Sequence, residues 1–258
     1  MLLVLHMGKY SKIRADINCR IQRNTNMIVR ADEDFSYVVS LTSYPARIRM
    51  PEVPLVIYSI IRQKTSHKFK LVLVLSKLEF PNGFDDLPDA IQQFIKSGYV
   101  EPIWLADNLR AYKKWIGPHI KYPDKPIMTT DDDIILDSDI VDLFIRESKK
   151  HPGCIITEHG FELGHTGDII TGHFRLFPVG SLLDLPTTYF VECYRGLEDD
   201  AYNAYLATLK GTRTIILHSG KTHILETGGF VGTAFSKSYS KVSPLECRDR
   251  LANRLMRN

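Results

Sequence analysis

Between residues 37 and 150 the chain alternates short, uniformly apolar runs with segments of helical periodicity, and few folds accept that pattern. YVVSLTS (37–43) and FKLVLVLS (69–76) read as buried strands, VEPIWLA (100–106) as a third and KPIMTT (125–130) as a fourth. Between them, VPLVIYSIIRQ (53–63) and LPDAIQQFIKSG (87–98) carry apolar residues at helical spacing, the second ended by Gly98. NLRAYKKWIGPHI (108–120) reads as a helix broken by Gly117 and Pro118. Such alternation builds βαβ units on a parallel sheet, whose ligands sit beyond the carboxyl ends of the strands. Three segments are therefore expected to line one crevice: SLTSYPARI after the first strand, DNLRAYKK after the third, and the aspartates after the fourth. Beyond residue 150 the alternation loosens. GCIITEHG, DIITGHFRLFP and TRTIILH read as strands and LEDDAYNAYLATLKG (197–211) as a helix with acids in its first turn.

The expected class is α/β: one Rossmann-like domain with a mostly parallel central sheet, flanking helices and a smaller mixed sheet. The division expected is a peripheral extension (1–36), a domain over 37–220 and a C-terminal tail (221–258). Within the domain, 37–150 forms the nucleotide half and 151–220 the acceptor half. Of the 258 residues 33 are basic and 30 acidic, a balance that argues against nucleic acid as partner. Four cysteines without CxxC spacing argue against a structural zinc site or a disulfide scaffold, and so for a reducing, cytoplasmic setting. MLLVLHMGKY shows no signal-peptide cleavage pattern, and no run approaches the ~20 apolar residues that span a bilayer. At most peripheral membrane contact is expected, through the basic amphipathic tail with Arg248, Arg250, Arg254 and Arg257, whose plainer reading is a helix packing its leucines on the domain.

PIMTTDDDIILDSD (126–139) carries the chemistry. Three adjacent carboxylates repel one another unless a cation or solvent intervenes. Hard oxygen ligands at a strand end suit Mg²⁺ or Mn²⁺, which take one or two carboxylates from protein and the remainder from water and phosphate. If the strand continues through them, Asp131 and Asp133 point to one side as the metal clamp and Asp132 to the other, free for a ribose or sugar hydroxyl.

VVSLTSYPARI, DNLRAYKKW, YPDKPIMTTDDDIILDSDIV and LEDDAYNAYLAT, in this order over roughly residues 36–218, resemble a family of GT-A-type glycosyltransferases. Its known members make bacterial surface polysaccharides, and related enzymes occur in large algal viruses, which would place a viral member in host cytoplasm. The resemblance implies a metal-dependent transferase, usually with manganese. It would move a sugar from a nucleotide sugar, UDP first, to a hydroxyl of a glycan, lipid-linked or glycoprotein acceptor. It puts the metal on Asp131 and Asp133 and the nucleotide near Ser40, Thr42, Tyr44 and Arg47. Asp107, Lys113 and Lys114 match a segment that contacts the nucleotide and its phosphates. Glu198, Asp199 and Asp200 match the acidic motif that addresses the acceptor, with Asp199 as base and Asp200 holding an acceptor hydroxyl if the reaction inverts. Several GT-A enzymes place a third metal ligand where His218 falls, with His223 the alternative. His165 and His173 border the acceptor stretch, and Trp104 and Trp115 read as core. GHFRLFPVG departs from the family's glycine-rich segment, which leaves the acceptor side less defined than the donor side.

Two other classes fit parts of the pattern. A nucleotidyltransferase or phosphohydrolase also gathers aspartates at strand ends, but would more often carry a Gly-rich phosphate loop, and none is present. An inactive sugar- or nucleotide-binding module would not require both acidic motifs.

Overall fold

The computed structural model describes residues 34–185, 187–188, 199–225 and 243–256. Its centre is a seven-stranded sheet in the order β3-β2-β1-β4-β7-β6-β8. The strands are β1 (Tyr37–Thr42), β2 (Phe69–Ser76), β3 (Glu101–Leu105), β4 (Ile127–Thr130), β6 (Ile155–Glu162), β7 (Ile169–Phe177) and β8 (Thr214–Ile216). β1 to β4 run parallel, β7 is antiparallel to both β4 and β6, and β8 returns parallel to β6. A second sheet pairs β5 (Ile134–Leu136) antiparallel with β9 (Thr222–Ile224). The expected class stands, with the smaller sheet antiparallel rather than mixed.

Helices cover both faces, as apolar residues on both sides of the strands require. On one face Val39, Leu41, Leu73, Met128, Phe174 and Leu176 form the main core. α2 (Glu52–Ile61), α3 (Asp89–Lys96) and α5 (Ile140–Lys150) cover it, and Phe144 meets Phe174 edge-on at 4.7 Å. The short helix α1 (Pro45–Ile48) follows β1 directly. On the other face α4 (Lys113–Lys121) lies over β1 and β2, α6 (Asp199–Lys210) over β7, and α7 (Pro244–Leu255) against α6.

α4 corrects one expectation. The helix runs through Gly117 and Pro118, after a 3₁₀ turn at Arg110–Tyr112. Pro118 forfeits a single backbone hydrogen bond, and packing outweighs that loss. A Cβ at Gly117 would stand 2.6 Å from Val74 Cγ1, so the missing side chain is what lets α4 lie close on β2. Gly98, at φ +75°, follows α3 as the sequence indicated.

The tail expectation resolves towards packing. Arg248 Nε donates to the fully buried Asp168 at 2.7 Å, the guanidinium lies over the Tyr205 ring, and Leu251 is buried. Among the described residues no helix is long and apolar enough to cross a membrane. The boundary drawn after residue 220 separates β9 from the strand it pairs with.

Candidate active site

The three segments expected to share a crevice meet at the carboxyl ends of β1 and β4. β4 stops at Thr130, so Asp131 to Asp133 lie in a turn, not an extended strand. Side-chain alternation therefore does not govern them, and the Asp131 and Asp133 side chains do not point to one side as an extended strand would have them. Asp132 and Asp133 turn to the same guanidinium: Arg47 Nε is 3.5 Å from Asp132 Oδ1, and Nη2 is 2.8 Å from Asp133 Oδ2. Ser43 Oγ donates to Asp132 Oδ2 at 2.5 Å. Asp131 faces the other way, with Lys114 Nζ 2.6 Å from Oδ1 and Arg175 Nη2 3.4 Å from Oδ2.

Behind Asp131 lies a second acidic group. α6 begins at Asp199, so Asp199 and Asp200 occupy its first turn, where the helix dipole favours negative charge. Lys114 Nζ is 3.1 Å from Asp199 Oδ2. Arg175 Nη1 reaches Asp200 Oδ1 at 2.5 Å and lies 3.8 Å from Asp199 Oδ2. Two cations thus bind three carboxylates drawn from β4 and α6. Lys114 and Arg175 are both fully buried. Asp199 is sealed with them at 8% side-chain exposure, while Asp200 keeps 31%.

Proton affinities set Asp131 apart from Asp132, Asp133 and Asp200. Burial alone would raise the Asp131 carboxyl, but the Lys114 and Arg175 charges outweigh it and hold it below its ordinary value. The same ion pairs raise the Lys114 ammonium against its own desolvation. Burial pushes Asp132 up to about 6; Arg47 and Ser43 oppose that only in part, and Asp133 and Asp131 add to it. Burial and the neighbouring Asp131 also raise Asp133. Burial raises Asp200 well above the carboxylate range, Arg175 opposing and Asp199 reinforcing. Arg47 is the ion-pair partner of both carboxylates, and the buried Lys113 adds a longer-range attraction to Asp132 that still leaves it raised. Asp132 and Asp133 are the half of the triplet with charge to spare.

That imbalance decides how a divalent cation would fit. A cation beside Asp131 would lie against two buried positive groups that have nowhere to go. Arg47, by contrast, is a positive group spanned by two carboxylates, where a metal could replace it. Asp132 and Asp133 are therefore the pair that fits Mn²⁺ or Mg²⁺, within the one or two carboxylates that such ions take from protein. Among the described residues no group of three or more His, Cys, Asp or Glu side chains is gathered to hold a metal. His218 is exposed after β8 at φ +49°, its ring 5.6 Å from that of His159. His223 pairs with Asp137 at 3.1 Å.

The remaining expected residues scatter. Ser40 is wholly buried in mid-strand, and Thr42 donates its hydroxyl to the Val74 carbonyl at 2.6 Å. Tyr44 is the extended residue before α1, and Asp107 is exposed in the bend after β3. Lys113 is buried and paired with Glu79. Both lysines thus organise acids instead of facing open solvent. Trp115 is core, stacked between Tyr112 and His119, and Trp104 is half-buried, edge-on to Phe80. His173 sits on β7 at φ +63° with Nδ1 3.1 Å from Thr222 Oγ1, and His165 is exposed in the β6–β7 hairpin. Glu198 lies outside the described residues.

Sequence reasoning missed Ser43, Glu79 and Arg175. Arg175 left a signal: it is the lone charge in FRLF, a run otherwise apolar enough for a buried strand. An arginine there requires a buried acid.

No family model matches the chain, and no curated protein sequence matches it either. Solved structures do. S. aureus TarS (residues 1–349) in complex with UDP superposes with a TM-score of 0.50 at 9% identity, over 71% of this chain and 58% of that one. The fold is GT-A-like. A mannosyltransferase, PcManGT from Pyrobaculum calidifontis, in complex with GDP-Man and Mn²⁺, gives 0.48 at 13% identity over 84% and 65% of the two chains. A UDP-glucose pyrophosphorylase complexed with UDP-glucose gives 0.43 at 9% over 87% and 100%. The chain spans less than two thirds of the TarS chain it matches.

Proposed function

We propose that the protein is a glycosyltransferase that moves a sugar from a nucleoside diphosphate sugar to a hydroxyl of a glycan, lipid-linked or glycoprotein acceptor. The observation that carries this reading is the meeting of two acidic motifs, Asp131–Asp133 and Asp199–Asp200, at the ligand-binding edge of a GT-A-like sheet. UDP is the first nucleotide to try, since the TarS structure of like fold holds it.

In the proposed reaction the acceptor oxygen bonds to the anomeric carbon and gives up its proton. The bond from that carbon to the diphosphate oxygen breaks, and its electron pair leaves with the nucleoside diphosphate. The motif's order pointed to Asp199 as base, but Asp199 is sealed against Lys114. Asp200 is the better base for an inverting transfer. It keeps an open face, and its raised proton affinity brings it closer to the working pH that general-base catalysis favours. The buried Arg47 carries, beside Asp132 and Asp133, the charge that a departing diphosphate needs. A divalent cation held by Asp132 and Asp133 would add to that neutralisation.

A panel of nucleotide sugars with Mn²⁺, read as release of free nucleotide, tests the proposal. Metal-dependent release from one donor, lost in Asp133→Ala, supports it and names the donor. No release from any donor with any metal overturns it.

A further inference from the structure

We infer that Arg175 is a positioning residue that sets Asp200 against the donor end of the site. The inference rests on the transferase reading. Arg175 lies on β7 between two antiparallel partners, opposite Thr129 of β4 and Thr157 of β6. Its backbone is therefore fixed in the middle of the sheet. Its neighbours Phe174 and Leu176 are locked into the core on the opposite face. The side chain is fully buried and cannot swing out.

From that fixed point the guanidinium forks. One terminal nitrogen holds Asp200 at 2.5 Å, at the start of α6, and the other faces Asp131 at 3.4 Å, at the end of β4. Those carboxylates lie 25 and 44 residues from Arg175 in sequence. Lys114 also bridges β4 to α6, but through Asp131 and Asp199. Among the described residues Arg175 is the cation paired with Asp200. A lysine at 175 would keep the charge, but as a single point it lacks the planar fork that addresses two carboxylates from separate nitrogens. The distance from the general base to the donor end is then set by the geometry of one side chain, and misplacing such groups by about 1 Å costs on the order of a hundredfold in rate.

The test is a double-mutant cycle with Arg175→Lys and Asp200→Asn, read as nucleotide release, donor KM and thermal midpoint. Asp200→Asn is expected to lower kcat about a hundredfold or more, the range of a lost general base. Arg175→Lys is expected to lower kcat at least about tenfold while the donor KM and the thermal midpoint stay near wild type. The double variant is expected to be no slower than Asp200→Asn alone, because Arg175 acts through that carboxylate. A merely structural arginine would give losses that multiply, or a kcat restored by lysine along with stability, and either result overturns the inference. If wild type turns over no nucleotide sugar, the transferase reading fails and this role fails with it. Turnover by wild type with full kcat in Arg175→Lys overturns the positioning role alone.

Discussion

Two halves of one acidic triplet behave as opposites. Asp131 is drawn inward to two buried cations, and its proton affinity falls below the ordinary carboxylate value. Asp132 and Asp133, one and two residues further on, share the one buried guanidinium of Arg47, and theirs rise. What separates them is the ratio of positive to negative charge within reach, set by a turn that begins one residue after β4 ends. Inward, the aspartate serves as a strut between β4 and α6. Asp132 and Asp133 share Arg47 as their ion-pair partner, one cation to two carboxylates. Identical residues in one run need not share a role.

The largest expected effect breaks the inward half. Lys114→Met leaves the sealed Asp199 and the part-open Asp131 with Arg175 as their remaining ion-pair partner among the described residues. It should destabilise the fold by about 3–5 kcal/mol, the range for removing one partner of a buried ion pair. Arg47→Met should cost clearly less, because Asp132 and Asp133 already hold protons more tightly than Asp131 and neutralise more readily, whereas Lys114 also faces the sealed Asp199. Chemical denaturation of both variants checks the contrast, and equal losses would erase it.

Next comes Gly117→Ala. The added methyl meets Val74 and pushes α4, the carrier of Lys114, off the sheet. A loss of about 1–3 kcal/mol is expected, as for overpacking elsewhere, with Mn²⁺ affinity at Asp132 and Asp133 unchanged. Calorimetry of folding and of metal binding reads both quantities on one sample.

The smallest effect is a pH dependence that the two halves show in different quantities and at different pH. Asp132 holds its proton below about pH 6, and metal binding requires the carboxylate. Mn²⁺ affinity should therefore be flat well above that pH and fall about tenfold per unit below it, and Asp132→Asn should remove the part of the fall that Asp132 carries, leaving that of Asp133. Asp131 acts on folding instead, and at lower pH. Its folded pKa is lowered, so its contribution to stability is complete above the ordinary value of 3.8 and is lost only as the pH falls through the lower folded value. Acid unfolding followed in Asp131→Asn, which should lack that contribution, gives the comparison.

Much of this arrangement was legible in the sequence. Uniform apolar runs separated by helical periodicity fixed the parallel half, because burial on both faces leaves no other reading for FKLVLVLS. The crevice followed from topology, and Arg47, Lys114 and the aspartates do meet there. Side-chain direction after Thr130 was not legible. Alternation holds only while the chain stays extended, and whether DDD continues the strand or turns depends on contacts from Ser43, Arg47 and Lys114, which lie 89, 86 and 17 residues from their partners. Gly117 and Pro118 misled for a related reason: local propensity argued for a break, and close packing on Val74 overrode it. Arg175 was missed because a lone charge in a strand announces a partner without naming it.

The division of the triplet is tested most directly by Mn²⁺ titration, read by calorimetry, of wild type, Asp131→Asn and Asp133→Asn at pH 7.5. Asp133→Asn is expected to lose at least about tenfold in affinity, as loss of a metal ligand does, while Asp131→Asn stays near wild type. Loss of binding in Asp131→Asn with Asp133→Asn unaffected would contradict it and return the metal to the inward side.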